Sequence, residues 1–385
     1  MLEGVNVALG VSGSIAAVKT VELAHELRRQ GASVRAVMTD SARGIVHPWA
    51  LEFATESEVV TEITGGVEHV ALCGNDGWAD VLLLAPATAN TVGKIASVVD
   101  DTPVTTCATT ALGAGVPVVV APAMHEPMYG HPGVLEAIER VESWGVDFVD
   151  PRVEEGKAKI AAEEAIVCAV ARAMGDRPLE GRHVVVTSGA TSEPIDPVRV
   201  LTNRSSGKMG RAVARACYVL GADVTLIHDG DDVPYADVRA VESAAEMLEA
   251  TLEACTEADA LVSAAAVGDY TVDASDAKLR SGQELSLDLE PTPKLIDRVR
   301  EARPDLPIVA FKAETSGEDE AMIDAAREVL ERVDAAFVVA NDASVMGGDR
   351  TRALLVHAED VAKFSGVKAD LADEIARSLA VVVVG

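Results

Sequence analysis

The 385-residue chain reads as an α/β protein of two domains, each a Rossmann-like three-layer arrangement of helices around a parallel sheet. Three observations predict this. The length is enough for two full cores. Strand–turn–helix–strand units open twice, once at Val5 and again at His183. Between them, Gly175-Asp176-Arg177-Pro178-Leu179-Glu180-Gly181 breaks a helical run and reads as a linker, giving expected domains at 1–175 and 182–385.

Composition narrows the class. Aromatics make up only 3%, so the cores must be built from Ala, Val, Leu and Ile. The formal charge of −29 far exceeds the roughly 2 to 8 units typical of a soluble small domain. Salt near 1 M shortens the Debye length to about 3 Å and removes most of that self-repulsion, so a halophilic cytoplasm is expected. The acids are spread along the chain, which argues against an acidic docking face and against nucleic-acid binding. Five cysteines, with no CxxC spacing, suggest neither a disulfide framework nor a zinc site; reduced core thiols are expected. The opening MLEGVNVALG lacks a signal-peptide pattern, and no apolar run approaches the ~18 residues of a membrane span. A cytoplasmic protein without membrane contact is expected.

In the first half, Val5 to Gly10 reads as a buried strand, Ile15 to Gln30 as a helix and Ser33 to Thr39 as a second strand. The turn Gly10-Val11-Ser12-Gly13-Ser14 lacks the GxGxxG spacing of dinucleotide sites; its two serines suit a single phosphate at a helix N-terminus. Taken alone, such a turn is more often structural. Val81 to Ala85 and Val116 to Val120 are apolar runs. They end in Pro86-Ala87-Thr88-Ala89-Asn90 and Ala121-Pro122-Ala123-Met124-His125, polar groups at the carboxyl ends of strands, where open α/β sheets bind ligands. Glu163 to Met174 is a helical run carrying Cys168 as a core residue.

In the second half, His183 to Thr187 starts a strand and Lys208 to Leu220 is an amphipathic helix, with a long loop expected between them. The loop ends in Ser205-Ser206-Gly207-Lys208. Two hydroxyls, a glycine and an ammonium at a helix N-terminus favour an anion, although a Ser-capped helix fits those four residues as well. Asp223 to His228 reads as a strand, Ser243 as the N-cap of a helix to Glu257, and Ala260 to Val267 as an apolar strand leading to Asp269. Lysine is scarce, yet Lys208, Lys278, Lys294 and Lys312 all fall in motif regions, which points to a polyanion.

The segment from Thr187 to Arg211, TSGATSEPIDPVRVLTNRSSGKMGR, closely resembles the nucleotide-binding loop of phosphopantothenate–cysteine ligases. The first half resembles flavin-dependent phosphopantothenoylcysteine decarboxylases, through Ser12-Gly13-Ser14, a histidine before Trp78-Ala79-Asp80, Pro86-Ala87-Thr88-Ala89-Asn90 and Pro122-Ala123-Met124. The resemblance implies a flavodoxin-like first domain that binds FMN through Gly10, Ser12, Gly13, Ser14, Thr39, Pro86, Ala87, Thr88 and Asn90. His69 matches the catalytic histidine, the base that helps deprotonate the substrate thiol. By itself a histidine beside an apolar run is more commonly a satisfied surface or core residue. Flavin would accept a hydride from the thiol-bearing carbon, making a thioaldehyde β to the carboxylate so that CO2 can leave. Two departures stand out. His125 replaces the asparagine that binds the substrate carboxylate, and the flap region Val153 to Ile160 has no proton-donating cysteine, leaving Lys157, Lys159 or water.

For the second domain the resemblance implies a nucleotide-binding ligase that joins 4'-phosphopantothenate to cysteine with CTP and Mg2+, through an acyl cytidylate. Asn203 would hold the acyl phosphate and Lys278, on a mobile loop, the triphosphate. Gly189, Arg199, Ser205, Ser206, Gly207, Lys208, Ser263, Ala264, Ala265, Pro293, Lys294, Leu295 and Ile296 are expected against substrate, Asp269 against cytosine and Phe311 stacked on the base. Asn341-Asp342 matches a further signature, while Glu331-Arg332 stands where some relatives have a lysine. Family flavin sites lie between subunits, implying a homo-oligomer built on trimers. Two other classes compete: a flavin-binding regulatory protein with an inactive decarboxylase fold, and an NAD-dependent oxidoreductase, which both βα turns disfavour by lacking GxGxxG.

Overall fold

In the computed structural model the chain divides into two compact units, Met1–Gly175 and Asp176–Gly385. The structure describes residues 1–154, 157–280, 282, 284–314, 318–342 and 350–384. Glu155 and Gly156 of the expected flap, and Thr315, lie outside the described residues.

The first unit begins with β1 (Asn6–Val11), a 3-10 turn at Ile15–Lys19, α1 (Thr20–Arg29), β2 (Ser33–Met38), α2 (Asp40–Arg43), α3 (Pro48–Thr55) and α4 (Glu68–Cys73). It continues with β3 (Val81–Ala87), α5 (Ala89–Ala96), α6 (Pro103–Ala114), β4 (Val118–Pro122), β5 (Met124–His125) and α7 (Glu126–Tyr129). It closes with α8 (Pro132–Glu142), β6 (Asp147–Phe148), β7 (Arg152–Glu154), β8 (Lys157–Lys159) and α9 (Glu163–Met174). The parallel sheet has the order β2-β1-β3-β4-β6, the flavodoxin-type order whose direction of winding reverses between β1 and β3. Every residue of β3 is buried, as expected of a parallel strand covered on both faces. β5, β8 and β7 form a small antiparallel sheet of their own.

The second unit contains β9 (His183–Thr187), β10 (Ser192–Asp196), β11 (Arg199–Thr202), α10 (Lys208–Val219), β12 (Asp223–His228) and β13 (Asp237–Ala240). Next come α11 (Ala244–Ala254), β14 (Ala260–Ser263), β15 (Tyr270–Val272), β16 (Leu289–Pro291), α12 (Leu295–Ala302) and β17 (Ile308–Glu314). The last elements are α13 (Asp319–Val333), β18 (Phe337–Asp342), β19 (Arg350–Val356), β20 (Val361–Val367) and α14 (Lys368–Val384). Its sheet runs β13-β12-β9-β14-β17-β18-β19-β20. Counted in chain order, the six parallel strands read 3-2-1-4-5-6, the Rossmann order, with antiparallel β19 and β20 added at one edge. The switch point lies between β9 and β14.

Several sequence expectations need adjustment. The segment after β9 is not simply a loop: β10 and β11 pair as an antiparallel ribbon with an irregularity between Pro194 and Asp196. The apolar run from Ala260 leaves the sheet at Ser263, and α1 is preceded by a 3-10 turn rather than starting at Ile15. The expected linker is partly docked, since Leu179 is fully buried and its N–H bonds to the Leu220 carbonyl. Ser243 does cap α11, in a capping box with Glu246. All five cysteines are buried free thiols. Among the described residues no helix is long and apolar enough to cross a membrane.

Candidate active sites

In the first unit a cavity of about 460 Å³ opens at the β1/β3 switch point. Ser12, at the end of β1, binds the two strand ends together: its hydroxyl donates to the Pro86 carbonyl (2.6 Å) and accepts from the Thr88 N–H (3.2 Å). Thr88 caps α5 through the Thr91 N–H, and Thr39 caps α2 through the Ala42 N–H. A Cβ on Gly13 would lie 2.3 Å from the Ser41 hydroxyl, so only glycine lets the turn pass that close. Ser12, Gly13, Thr39, Thr88 and Asn90 line the cavity, with Ser41, Thr91, Thr102, Thr105, Asp40, Lys94 and Met128. Lys94 is paired with Asp101 (2.8 Å). Ser14 caps the 3-10 turn and donates to the Ala123 carbonyl, which fixes the turn rather than lining the space. Gly10, Pro86 and Ala87 belong to the strands behind: a Cβ on Gly10 would collide with Leu84 at 2.6 Å.

His69 is the second residue of α4 and is not among the residues lining this cavity. Its Nδ1 is buried without a hydrogen-bond partner. His125 is exposed on β5, paired in register with Lys157 of β8. The flap of the sequence reading is therefore strand-paired beside His125, while Glu155 and Gly156 stay undescribed. Cys168 is buried within α9.

In the second unit the long motif is largely scaffolding. Glu193 is buried and accepts from the Ala244 N–H (2.8 Å) and the Thr271 hydroxyl (3.0 Å). Asp196, also buried, accepts N–H bonds from Val198, Arg199 and Leu279. Burial raises the Asp196 pKa, but those three amides and the Arg199 charge outweigh it, so the group titrates below the ordinary aspartate value. Arg199 also donates to the Leu279 carbonyl (2.8 Å), so it clamps the segment that carries Lys278. Gly189 has φ +90 and touches Gly207, φ +67, whose Cβ would come within 3.0 Å of the Gly189 Cα. Gly189 and Arg199, read from sequence as substrate contacts, thus shape the loop, and neither lines the cavity.

That cavity, about 380 Å³, lies at the β9/β14 switch point. Ser205, Ser206, Gly207 and Lys208 form one wall, Ser263, Ala264, Ala265 and Asp269 the next, and Pro293, Lys294, Leu295, Ile296 and Phe311 the third. Lys294 bridges Asp269 at 2.6 Å. Asn203 stands at its margin, donating to the carbonyl of Ala266, a lining residue (2.6 Å), and accepting from the Ser205 N–H. Lys278 is exposed and does not line the cavity. Lys312, Arg332, Asn341, Thr351 and Lys368 do. Lys368 was not singled out by sequence, because its only signal is the rarity of lysine in this chain. Among the described residues the lining thus has five basic side chains and one carboxylate, Asp269, with Lys312 and Arg332 also paired to Glu314 and Asp297 just outside it, in a protein of formal charge −29. Such a surface suits a polyphosphate or several anionic groups held together. Among the described residues no group of three or more His, Cys, Asp or Glu is placed to hold a metal.

A flavodoxin-ordered unit with a hydroxyl-rich cavity, followed by a Rossmann-ordered unit with a lysine-lined one, defines an α/β protein with one candidate site in each unit. Residues 1–175 match the Flavoprotein family model, and residues 179–382 match the DNA/pantothenate metabolism flavoprotein C-terminal domain. The chain is 50% identical over 362 residues to the coenzyme A biosynthesis bifunctional protein CoaBC of Thermococcus kodakarensis, covering 92% of this chain and 89% of that one. It is 36% identical over 381 residues to the protein of the same name from Methanocaldococcus jannaschii, covering 97% and 93%. The Bacillus subtilis counterpart is 36% identical over 364 residues, covering 90% and 88%. The chain belongs to the family of bifunctional coenzyme A biosynthesis proteins.

Proposed function

We infer that this chain makes 4'-phosphopantetheine in two steps: its second unit joins 4'-phosphopantothenate to cysteine with CTP, and its first unit decarboxylates the product with FMN. The observation that carries the reading is the pair of cavities, one rich in hydroxyls at a flavodoxin-type switch point, the other with five basic side chains in its lining at a Rossmann-type one. The first has a volume within the range of ligand sites. Its helix caps and hydroxyls fit the phosphate of a mononucleotide. FMN, when bound, supplies the two-electron acceptor that the aminothiol acid lacks. The chain's own part is to seat the phosphate in the cavity that Ser12 shapes by tying the β1 and β3 ends together, and to take the thiol proton with His69. His69 lies outside the hydroxyl-rich cavity, in keeping with a site completed by another subunit of a homo-oligomer. His125 holds the substrate carboxylate by donating a hydrogen bond.

In the second unit the substrate carboxylate attacks the nucleotide α-phosphorus, pyrophosphate leaves, and the cysteine amine then displaces the nucleotide to form the amide. Lys208 and its neighbours offset charge on the phosphates, and the Asn203 amide, fixed by Ala266, stands beside the acyl phosphate. Asp269, an acceptor paired with a donor in Lys294, suits a base edge that presents both an amino group and an acceptor, as cytosine does. Mg2+ fits as a partner of the substrate phosphates rather than of a protein-built cluster, since among the described residues the cavity lining offers one carboxylate.

The test is to purify the chain in roughly molar KCl, record its visible spectrum and incubate it with 4'-phosphopantothenate, cysteine and each nucleoside triphosphate in turn. A yellow protein that forms phosphopantothenoylcysteine best with CTP and then releases CO2 is expected. A colourless protein that takes up no FMN and forms no amide would overturn the reading.

A further inference from the structure

The helix that ends the chain brings a basic residue to the ligase cavity from far away in sequence. β18 is parallel to β17, β19 antiparallel to β18, and β20 antiparallel to β19, so β20 ends at the same edge of the sheet as the parallel strands. α14 starts there, directly after β20, and packs along α10. Its first residue is Lys368, half-buried, and one turn on Leu371 is fully buried. Both line the cavity, as do Lys208 and Met209 at the start of α10. Two helices thus begin side by side at one space, each with a lysine in first position.

Abundance makes this placement informative. The whole chain has 10 lysines among 33 basic residues, and Lys208, Lys294, Lys312 and Lys368 face a single cavity. Long-range attraction is screened in concentrated salt, so cations gathered within one cavity act by direct contact. An ammonium is a compact donor for phosphoryl oxygens. The Ser205–Lys208 turn and Lys294 beside Asp269 mark two walls, and Lys368 stands on the wall formed by α14.

We propose that Lys368 is a substrate-binding residue of the ligase unit, holding a phosphoryl group on the α14 side of the cavity. The assignment rests on the ligase reading above. The group is either the terminal phosphate of the triphosphate or the phosphate monoester of 4'-phosphopantothenate, and steady-state kinetics separates them. In roughly molar KCl, Lys368→Gln should raise KM roughly tenfold for one of these two substrates, with KM for cysteine unchanged and kcat within about twofold. The substrate affected names the phosphate. Lys368→Arg should recover most of the loss. Lys363→Gln, which removes an exposed lysine paired with Asp319 outside the cavity, should behave like wild type. KM values for both phosphorylated substrates within twofold of wild type in Lys368→Gln would overturn the proposal. So would an equal rise in all three KM values that Lys368→Arg does not reverse. Calorimetric titration of CTP, and separately of 4'-phosphopantothenate, keeps the subsite testable without turnover. A wild-type chain that formed no amide would remove the ligase reading, while a Kd raised about tenfold by Lys368→Gln would still support the subsite and an unchanged Kd would overturn it.

Discussion

The two units bring different chemistry to the same place in an α/β sheet. At the β1/β3 switch point the first unit presents Ser12, Ser41, Thr88, Thr91, Thr102 and Thr105 beside one carboxylate, Asp40, and its one lysine there is paired with Asp101. At the β9/β14 switch point the described residues of the second unit present five basic side chains, of which Lys294, Lys312 and Arg332 are paired with Asp269, Glu314 and Asp297. The difference is one of charge density. A lone phosphate of about −2 can be held by hydroxyls and helix-terminal N–H groups, whose cost of ordering is met once on folding. Two phosphorylated substrates brought together repel each other, and only fixed positive charge offsets that. A chain that keeps only 10 lysines places four of them where this problem arises.

The largest expected effects break the two sites separately. Asn203→Asp sets a carboxylate against the Ala266 carbonyl and beside the acyl phosphate. Like charges at 4 Å with an effective dielectric near 20 cost about 4 kcal/mol, or on the order of a thousandfold in amide formation before screening by salt. Decarboxylation of supplied phosphopantothenoylcysteine should be untouched. Conversely, His69→Ala should slow CO2 release by roughly a hundredfold or more while amide formation continues. Rates of pyrophosphate and CO2 release, measured on each variant, decide both; loss of both activities in a folded variant would contradict separate sites.

A smaller effect sharpens the comparison through the scaffold. Gly210 lies in the first turn of α10, and a Cβ there would come within 2.5 Å of the Ser188 side chain and 2.9 Å of its Cα. Ser188 donates to the Gly207 carbonyl, so the clash would push apart the strand end and the turn that form the cavity wall. Gly210→Ala gains helix propensity worth about 1 kcal/mol but meets overpacking of about 1–3 kcal/mol, for a net loss of up to about 2 kcal/mol. Calorimetric melting should show a lower Tm with FMN retention unchanged. A higher Tm would mean that the wall tolerates the methyl group.

The smallest effect is in the pH dependence of the second unit. His228 is buried at the end of β12. Burial, aided by the charge of Arg211, lowers its pKa, and a backbone contact with Asp231 and the charges of Asp229 and Asp231 oppose this only in part. The folded state therefore binds the proton less readily than the unfolded one. Stability from this residue is fully present above the unfolded value near 6.5 and declines as pH falls below it, by at most about 1.4 kcal/mol per pH unit. His228→Phe should flatten the Tm profile between pH 7 and 5. Asp196, whose pKa is depressed, acts in a different window, losing its contribution only as pH falls below the ordinary aspartate range.

What the sequence made legible was mostly local. Ser205 to Lys208 could be read as an anion cradle because a turn and the helix after it are contiguous, and the cavity indeed uses all four residues. Ser12, Gly13 and Thr88 were legible for the same reason. Gly189 and Arg199 belong to the same motif but answer to distant partners, Gly207 and Leu279, which periodicity does not reveal. The β10–β11 ribbon escaped notice because Pro194 and the charged residues in it mask a strand pattern. Lys368 was the hardest to see, since its position depends on two antiparallel strands returning α14 to the sheet edge.

The central claim is that one chain carries two independent sites, and mixing two crippled variants tests it most directly. Asn203→Asp lacks the ligase step and His69→Ala the decarboxylase step, so neither alone should turn 4'-phosphopantothenate, cysteine and CTP into 4'-phosphopantetheine. Combined in high salt, with FMN on both, they should make it at a rate set by diffusion of phosphopantothenoylcysteine from one to the other. If each variant keeps its remaining activity and the mixture still yields no 4'-phosphopantetheine, the account of two separate sites is wrong.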